Sequence, residues 1–172
     1  ETESVTVTIK GDDIVEDNEQ FTVTLGEVTN TSVEQIGDIT TGASATGTIG
    51  NDDTATLSIS APAITETDAD DTVMFTVTLD AAVEGGFDVA LLDTLSGTAE
   101  ATDYALVTTS VSFAGTAGET ELVDVTIVGD EIVEDNETFT IELGDVTGTS
   151  AEQDGDIGTG DTAVGTINND DS

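Results

Sequence analysis

The stretch GDEIVEDNETFTIELG, residues 129–144, decides how the chain folds. Its second half alternates apolar and polar side chains in TFTIEL (138–143), which is the pattern of a β-strand with one buried face. Its first half, residues 129–137, holds five carboxylates and follows another strand-like run at 122–128. The stretch therefore predicts two strands joined by an end that is loaded with acidic side chains.

The same stretch occurs a second time in the chain. GDDIVEDNEQFTVTLG (11–26) matches residues 129–144, and residues 1–53 align without a gap to residues 119–171, with 37 of 53 positions identical. Such similarity at a fixed offset of 118 residues indicates tandem repeats. We predict that residues 54–172 form a complete repeat. Residues 1–53 are the C-terminal part of a preceding repeat, which is either truncated or completed by a neighbouring copy.

Strand-like alternation runs through the whole chain, and no helical period competes with it. The strands are predicted at residues 4–9, 20–25, 55–60, 73–79, 110–113, 124–127 and 138–143. Short strands separated by turns rich in Gly, Asp and Thr predict an all-β, antiparallel β-sandwich. Apolar side chains on one face of these strands should form the core. They are Phe21, Phe75, Phe113, Val125, Ile127, Phe139 and Leu143.

Composition excludes several classes of function. The chain has 38 Asp and Glu against a single basic residue, Lys10, and it lacks Cys and His, so its formal net charge is −37. Disulfides, imidazole bases and soft-metal ligands are therefore absent. So acidic a surface predicts no binding to nucleic acid, and no apolar run is long enough for membrane insertion. Aromatic residues are 3% of the chain, with no Trp, so we expect no enzyme acting on sugars.

The carboxylates indicate a calcium site. The acidic segment at 129–137 and the terminal run NNDD (168–171) both lie at ends of predicted strands, and strand ends from distant parts of a sandwich meet at one pole. Ca²⁺ takes about six to eight oxygen ligands, which such a pole supplies. A merely solvated acidic loop is the alternative. Recurrence of the motif in both copies with the same spacing favours the metal.

These residues together resemble the Calx-beta domain family. The resemblance rests on ATLSIS (55–60) with ITET (64–67), GTAEATDY (97–104), SFAGTAGET (112–120), VGDEIVEDNETFTIEL (128–143) and GTINNDD (165–171). It covers the whole of the complete repeat. The resemblance implies a seven-stranded, immunoglobulin-like antiparallel β-sandwich that binds several Ca²⁺ ions at one pole.

The resemblance also implies the ligands. In the complete repeat they are Glu66, Asp103, Asp130, the Ile132 carbonyl, Glu134, Glu137, Asn169, Asp170 and Asp171. In the first copy they are Asp12, the Ile14 carbonyl, Glu16, Glu19, Asn51, Asp52 and Asp53. Asn169 stands where the family usually has a third Asp. Gly129 stands where the sodium/calcium exchangers of this family have another carboxylate. We therefore expect two or three Ca²⁺ ions per complete site.

The junction between the copies suggests a function. Asp53 runs directly into the strand that starts the next repeat, so calcium should stiffen this joint. We predict a Ca²⁺-binding structural repeat of an extracellular or cell-surface adhesin, stalk or filament. Its partners would be neighbouring repeats, including head-to-tail copies in a filament. The alternative is a regulatory calcium sensor in a larger surface or membrane protein. Two sequons, at Asn30 and Asn136, make glycans possible, although Asn136 lies inside the calcium loop.

Overall fold

The computed structural model describes residues 1–172 as two compact units. The first unit contains Glu1–Gly11 and Asp17–Asn51, and the second contains Asp12–Glu16 and Asp52–Ser172. The second unit thus includes seven residues from the first copy of the repeat, 12–16 together with 52 and 53, which the duplication alone does not reveal.

The strands and helices follow one another in this order: β1 (Ile14–Val15), β2 (Glu19–Thr24), α1 (Val33–Ile36), β3 (Ser44–Ile49), β4 (Ala55–Ser60), β5 (Ile64–Thr65), β6 (Asp71–Leu79), β7 (Ala82–Val83), β8 (Phe87–Asp93), β9 (Tyr104–Leu106), β10 (Ser110–Phe113), β11 (Thr120–Ile127), β12 (Glu137–Thr147), α2 (Ala151–Asp154), β13 (Ile157–Gly158) and β14 (Thr162–Asn168). Both helices have four residues. Neither is long or apolar enough to cross a membrane.

The second unit is a β-sandwich. One sheet has the strand order β10-β8-β12-β14-β5 and the other has the order β13-β4-β6-β11-β9. Seven of these strands have four or more residues, as the family resemblance implied. The two-residue strands β5 and β13 add parallel pairs to β14 and β4. The predicted all-β, immunoglobulin-like fold is confirmed.

The core lies between the two sheets. Its centre is Phe139, which is fully buried and whose ring centroid lies 4.2 Å from that of Tyr104 and 5.7 Å from that of Phe75. The other predicted core residues of this unit, Phe113, Val125, Ile127 and Leu143, are all at most 3% exposed. Alternation along the strands therefore identified the inward face correctly.

The first unit contains the antiparallel pair β2 and β3 together with α1. The strand predicted at residues 4–9 is wrong, because this segment forms no strand and Val5 is 71% exposed. Its aligned segment, β11, pairs with β6 and β9, and residues 1–53 contain nothing that aligns with either strand. For the same reason Phe21 is only half-buried, since the rings that cover its counterpart Phe139 have no equivalents there.

Strand β1 is an unexpected part of the second unit. Ile14 and Val15 pair in parallel with Ala82 and Val83 of β7, and the Val15 side chain is completely buried. The backbone N–H of Glu84 donates to the Val15 carbonyl at 2.8 Å. An apolar segment from one copy of the repeat is therefore built into the unit formed by the next copy.

Candidate metal centre

Three carboxylates converge at one pole of the second unit. Glu66 follows β5, while Asp130 and Glu134 lie in the loop between β11 and β12. Each offers a carboxylate oxygen, and these three oxygens lie within 4.8 Å of one another. Glu66 is only 4% exposed, and its backbone N–H donates to the Asn168 carbonyl at 2.9 Å. Pairing of β5 with β14 thus carries this buried acid to the hairpin loop.

Asp171 adds an unsatisfied oxygen to this pole. Its Oδ2 atom is buried and has no hydrogen-bond partner. Burial raises the pKa of Asp171, and the neighbouring carboxylates of Asp170 and Asp68 raise it further. A buried carboxylate oxygen without a donor is costly, and a cation satisfies it as well as a donor would. The terminal acidic run and the hairpin loop therefore meet, as the sequence predicted.

The charges at this pole are not neutralised by basic side chains. Burial raises the pKa of Glu66, and Asp130 and Glu134 raise it further. Burial likewise raises the pKa of Glu134, followed by the effect of Asp130. The charges that act on these acids are carboxylates, and the single basic side chain, Lys10, is not among them. The acids of the pole therefore destabilise one another in their charged forms.

A second pair of carboxylates lies beside the first three. Glu137, at the start of β12, shares a side-chain hydrogen bond with Asp103, and burial together with this bond raises the pKa of Glu137 to about 7. Asp103 is held in place, because its Oδ2 atom accepts from the Glu100 N–H at 2.5 Å and its Oδ1 atom accepts from the Thr102 hydroxyl at 3.0 Å. Charge on Glu134 also raises the pKa of Glu137. Glu134 therefore connects this pair electrostatically to the first three acids.

Asparagine side chains connect the hairpin loop to the terminal run. Asn136 Nδ2 donates to Asn168 Oδ1 at 3.0 Å, and the Asn169 N–H donates to Asn136 Oδ1 at 3.2 Å. The predicted ligand Asn169 also accepts a hydrogen bond on Oδ1 from the Asp171 N–H at 3.3 Å. In the first copy the Asn51 N–H donates to Asn18 Oδ1 at 2.9 Å. These bonds hold the hairpin loop against the terminal run.

Gly129 lies at a position of this pole where the backbone leaves no room for a side chain. A Cβ atom on Gly129 would lie 2.0 Å from the Thr67 carbonyl oxygen and 2.6 Å from the backbone of Ala69, so no side chain fits. The segment opposite carries two further acids, since Asp70 Oδ1 accepts from the Gly129 N–H at 3.3 Å and the charge of Asp68 raises the pKa of Asp171. Sequence reasoning missed Asp68 and Asp70. The acidic run TDADD (67–71) directly after ITE was the available signal.

The remaining predicted ligands lie as follows. Asp170 and the Ile132 side chain are exposed, and Asp130 Oδ1 accepts from the Ile132 N–H at 2.6 Å. The predicted ligands of the first copy divide between the units: Glu19 and Asn51 belong to the first unit, and Asp12, Ile14, Glu16, Asp52 and Asp53 belong to the second.

Within the second unit the acids from the first copy form a cluster of their own. Burial raises the pKa of Asp53, followed by the effects of Asp52, Asp13 and Asp12. Asp12 Oδ1 accepts from the Ile14 N–H at 3.2 Å, which repeats the turn at Asp130. Residues 1–53 include no positions that align with Glu66 or Asp103, so this cluster lacks the two acids contributed by the front half of a complete repeat.

The model of the Calx-beta domain family matches residues 1–53 and 50–171. The chain belongs to the Calx-beta family. Calx-beta domains are calcium-binding domains, and two family matches in one chain agree with the tandem arrangement. No curated protein sequence matches the chain.

Solved Calx structures share the Calx-beta fold with this chain. The crystal structure of CBD12 from CALX1.2 aligns with a TM-score of 0.51 and 19% identity, over 67% of this chain and 45% of that one. The crystal structure of the Calx CBD2 domain aligns with a TM-score of 0.51 and 11% identity, over 65% of this chain and 85% of that one. The crystal structure of the apo-form Calx CBD1 domain aligns with a TM-score of 0.49 and 14% identity, over 69% of this chain and 100% of that one. The two alignments with a TM-score of 0.51 show a likeness of fold alone.

Proposed function

We propose that this chain is a Ca²⁺-binding structural repeat of an extracellular or cell-surface array, such as an adhesin, stalk or filament. The observation that carries the proposal is the buried Oδ2 atom of Asp171, which has no hydrogen-bond partner. It lies at the pole where carboxylate oxygens of Glu66, Asp130 and Glu134 are within 4.8 Å of one another. Folding these acids together without a cation would cost stability, and this supports a bound cation at the pole.

The donor set fits Ca²⁺. Every candidate ligand is an oxygen, and Ca²⁺ accepts about six to eight oxygens at about 2.3–2.6 Å in flexible geometry. Glu66, Asp130, Glu134 and Asp171 would hold one ion, and the pair Asp103 and Glu137 would contribute to another. We infer two or three ions per complete site. Mg²⁺ fits less well, because it requires a compact octahedron and dehydrates reluctantly.

The cluster near Asp53 supports a mechanical role. The chain passes between its two units after residues 11, 16 and 51, and the acidic residues Asp12, Asp13, Asp52 and Asp53 lie beside these points in the second unit. Calcium bound to them would fix the segments that connect one repeat to the next. In this proposal the chain has no catalytic role, and its binding partners would be further repeats of the array.

Calcium titration tests the proposal directly. Tyr104 is the one tyrosine, the chain has no Trp, and its ring packs in the core of the second unit, so its fluorescence reports unfolding of that unit. We expect Ca²⁺ to raise the melting temperature relative to EDTA, with about 2.7 kcal/mol of added stability per site when free Ca²⁺ is 100 times the dissociation constant. Glu66→Gln should weaken binding measured by calorimetry. The matched control Glu121→Gln, in strand β11, should leave it unchanged.

Identical unfolding in Ca²⁺ and in EDTA would refute the metal site. Affinity separates the structural role from the regulatory alternative, because extracellular structural modules bind Ca²⁺ at about 10⁻⁴–10⁻³ M and sensors bind it at about 10⁻⁷–10⁻⁵ M. A sensor should also change shape strongly on binding, which small-angle scattering would detect. A weak affinity with little change in shape is the result that we expect.

A further inference from the structure

The two copies of the Ile-Val pair have the same sequence and opposite environments. GDDIVEDNE (11–19) and GDEIVEDNE (129–137) are identical at eight of nine positions. Ile14–Val15 forms strand β1, and Val15 is 0% exposed. Ile132 and Val133 belong to no strand and are 63% and 65% exposed. Two adjacent large apolar side chains are thus left in solvent at a place where their counterparts are docked.

The docked copy shows what such a pair binds. Strand β7 (Ala82–Val83) offers its backbone edge, and the Glu84 N–H donates to the Val15 carbonyl at 2.8 Å. The buried side chain of Gln153 closes the site, since its Nε2 atom donates to the Glu84 carbonyl at 2.9 Å. This edge is formed by residues of the complete repeat, so every complete copy carries both the docking pair and the edge that receives it.

The exposed copy already has the shape needed to dock. Asp130 Oδ1 accepts from the Ile132 N–H at 2.6 Å, just as Asp12 Oδ1 accepts from the Ile14 N–H at 3.2 Å. The turn that presents the pair therefore exists before docking, so little conformational entropy is lost when the pair binds. Addition of a short strand to an exposed edge is a common mode of recognition.

We propose that Ile132–Val133 docks as a parallel strand onto the Ala82–Val83 edge of a following copy of this repeat. The occupant is specified by the chain itself, because the preceding copy of the motif already occupies that edge here. Each repeat then receives one Ile-Val strand from the repeat before it and donates one to the repeat after it. This rests on the array part of the proposed function and deepens it, and the observations behind it are independent of the calcium site.

An extended chain tests this interface. Residues 1–171 would be followed directly by a second copy of residues 54–172, which recreates the natural junction of Asp53 with Thr54. The appended copy carries Glu131→Asp so that its own loop peptide differs in mass. Amide hydrogen exchange is then measured by mass spectrometry in the 172-residue chain and in the extended chain, each in Ca²⁺ and in EDTA. We expect exchange at residues 132 and 133 to slow by roughly tenfold or more in the extended chain.

Two serine variants provide the matched control. Val133 and Val107 are 65% and 58% exposed, so Val133→Ser and Val107→Ser should both be neutral in the 172-residue chain. In the extended chain Val133→Ser should restore fast exchange in the loop and lower the melting temperature of the appended copy, while Val107→Ser should do neither.

The interface is refuted if the loop exchanges equally fast in both chains while the appended copy is folded. An appended copy that fails to fold also contradicts it, because the proposal supplies that copy with the docking strand that the present repeat has. Loss of slow exchange in EDTA alone would show that the loop needs calcium to hold its shape. Slow exchange in both solutions would support docking even if the calcium proposal failed.

Discussion

Replacing Val15 by Ala should destabilise the second unit, although Val15 lies 40 residues before Ala55, where β4, the first strand of the sandwich, begins. Val15 is completely buried against β7, whose Val83 is itself only 3% exposed. Val→Ala removes two carbon atoms, worth about 0.8 kcal/mol each in lost burial, and the resulting cavity adds to this. We expect a loss of about 2 kcal/mol, with the backbone bond to Glu84 preserved.

The natural control lies 118 residues later. Val133 occupies the same position in the second copy of the motif and is 65% exposed, so Val133→Ala should change stability by less than about 0.5 kcal/mol. Local sequence is nearly the same at both sites. A difference between the two variants therefore reports docking and not the intrinsic preference of the loop.

Thermal unfolding followed by Tyr104 fluorescence measures the difference in melting temperature between the two variants in the second unit. A loss of 2 kcal/mol corresponds to a fall of about 8 °C in melting temperature for a unit of this size. The experiment is run at one fixed concentration of free Ca²⁺, so that ligand stabilisation is the same for both variants. Equal melting temperatures for Val15→Ala and Val133→Ala would refute the docking of β1.

Three further predictions concern single positions. Gly129→Ala should cost about 3 kcal/mol and weaken Ca²⁺ binding measured by calorimetry, because its Cβ would meet backbone, whereas Gly11→Ala, with nothing within 4 Å, should be neutral. Glu119 accepts three backbone N–H bonds that lower its pKa, so it stabilises the fold above its ordinary pKa and this contribution is lost as pH falls through the lowered value. Glu119→Gln should cost about 1–2 kcal/mol at pH 7 in urea unfolding and flatten the acid limb of the stability profile. Burial and the carboxylate of Asp93 raise the pKa of Tyr104 to about 12. The protonated Tyr104 hydroxyl therefore stabilises the fold fully below about pH 10, and this stabilisation is lost as the pH rises through 12. In Asp93→Asn, tyrosinate absorbance should appear at a lower pH, and an unchanged midpoint would contradict this assignment.

The sequence was sufficient for the sandwich and for much of the acidic pole. Alternation identifies the inward face of a strand wherever partner strands exist, which is why Phe139 and Val125 are buried as predicted. The positions of the strand ends placed residues 129–137 and 168–171 at one pole, and the family resemblance named Asp130, Glu134 and Asp171 within them. The inward faces follow from periodicity, while the individual acids of the pole follow from the resemblance.

Other features depend on contacts that periodicity does not encode. Asp68 and Asp70 approach the pole because Gly129 lets the backbone near Thr67 come within a distance that any side chain would block. The docking of Ile14–Val15 could not be predicted from the sequence for a different reason. The same Ile-Val pair occurs in both copies, and in either copy it resembles an ordinary core segment. Only the partner strand and the burial of each copy distinguish them.

The two copies of the repeat separate local sequence from tertiary context. Phe21 and Phe139 lie opposite Gly47 and Gly165 in the same β-strand pairing, yet only Phe139 is fully buried. The strands that cover Phe139 come from residues 54–118, and the first unit has no counterpart of them. The hairpin pairing of the first copy is thus present without these strands, but the core and the acidic pole of a complete repeat require the front half of the same repeat. Stability of an array built in this way should rise with each complete repeat that is added, since nearest-neighbour docking stabilises each copy that follows another.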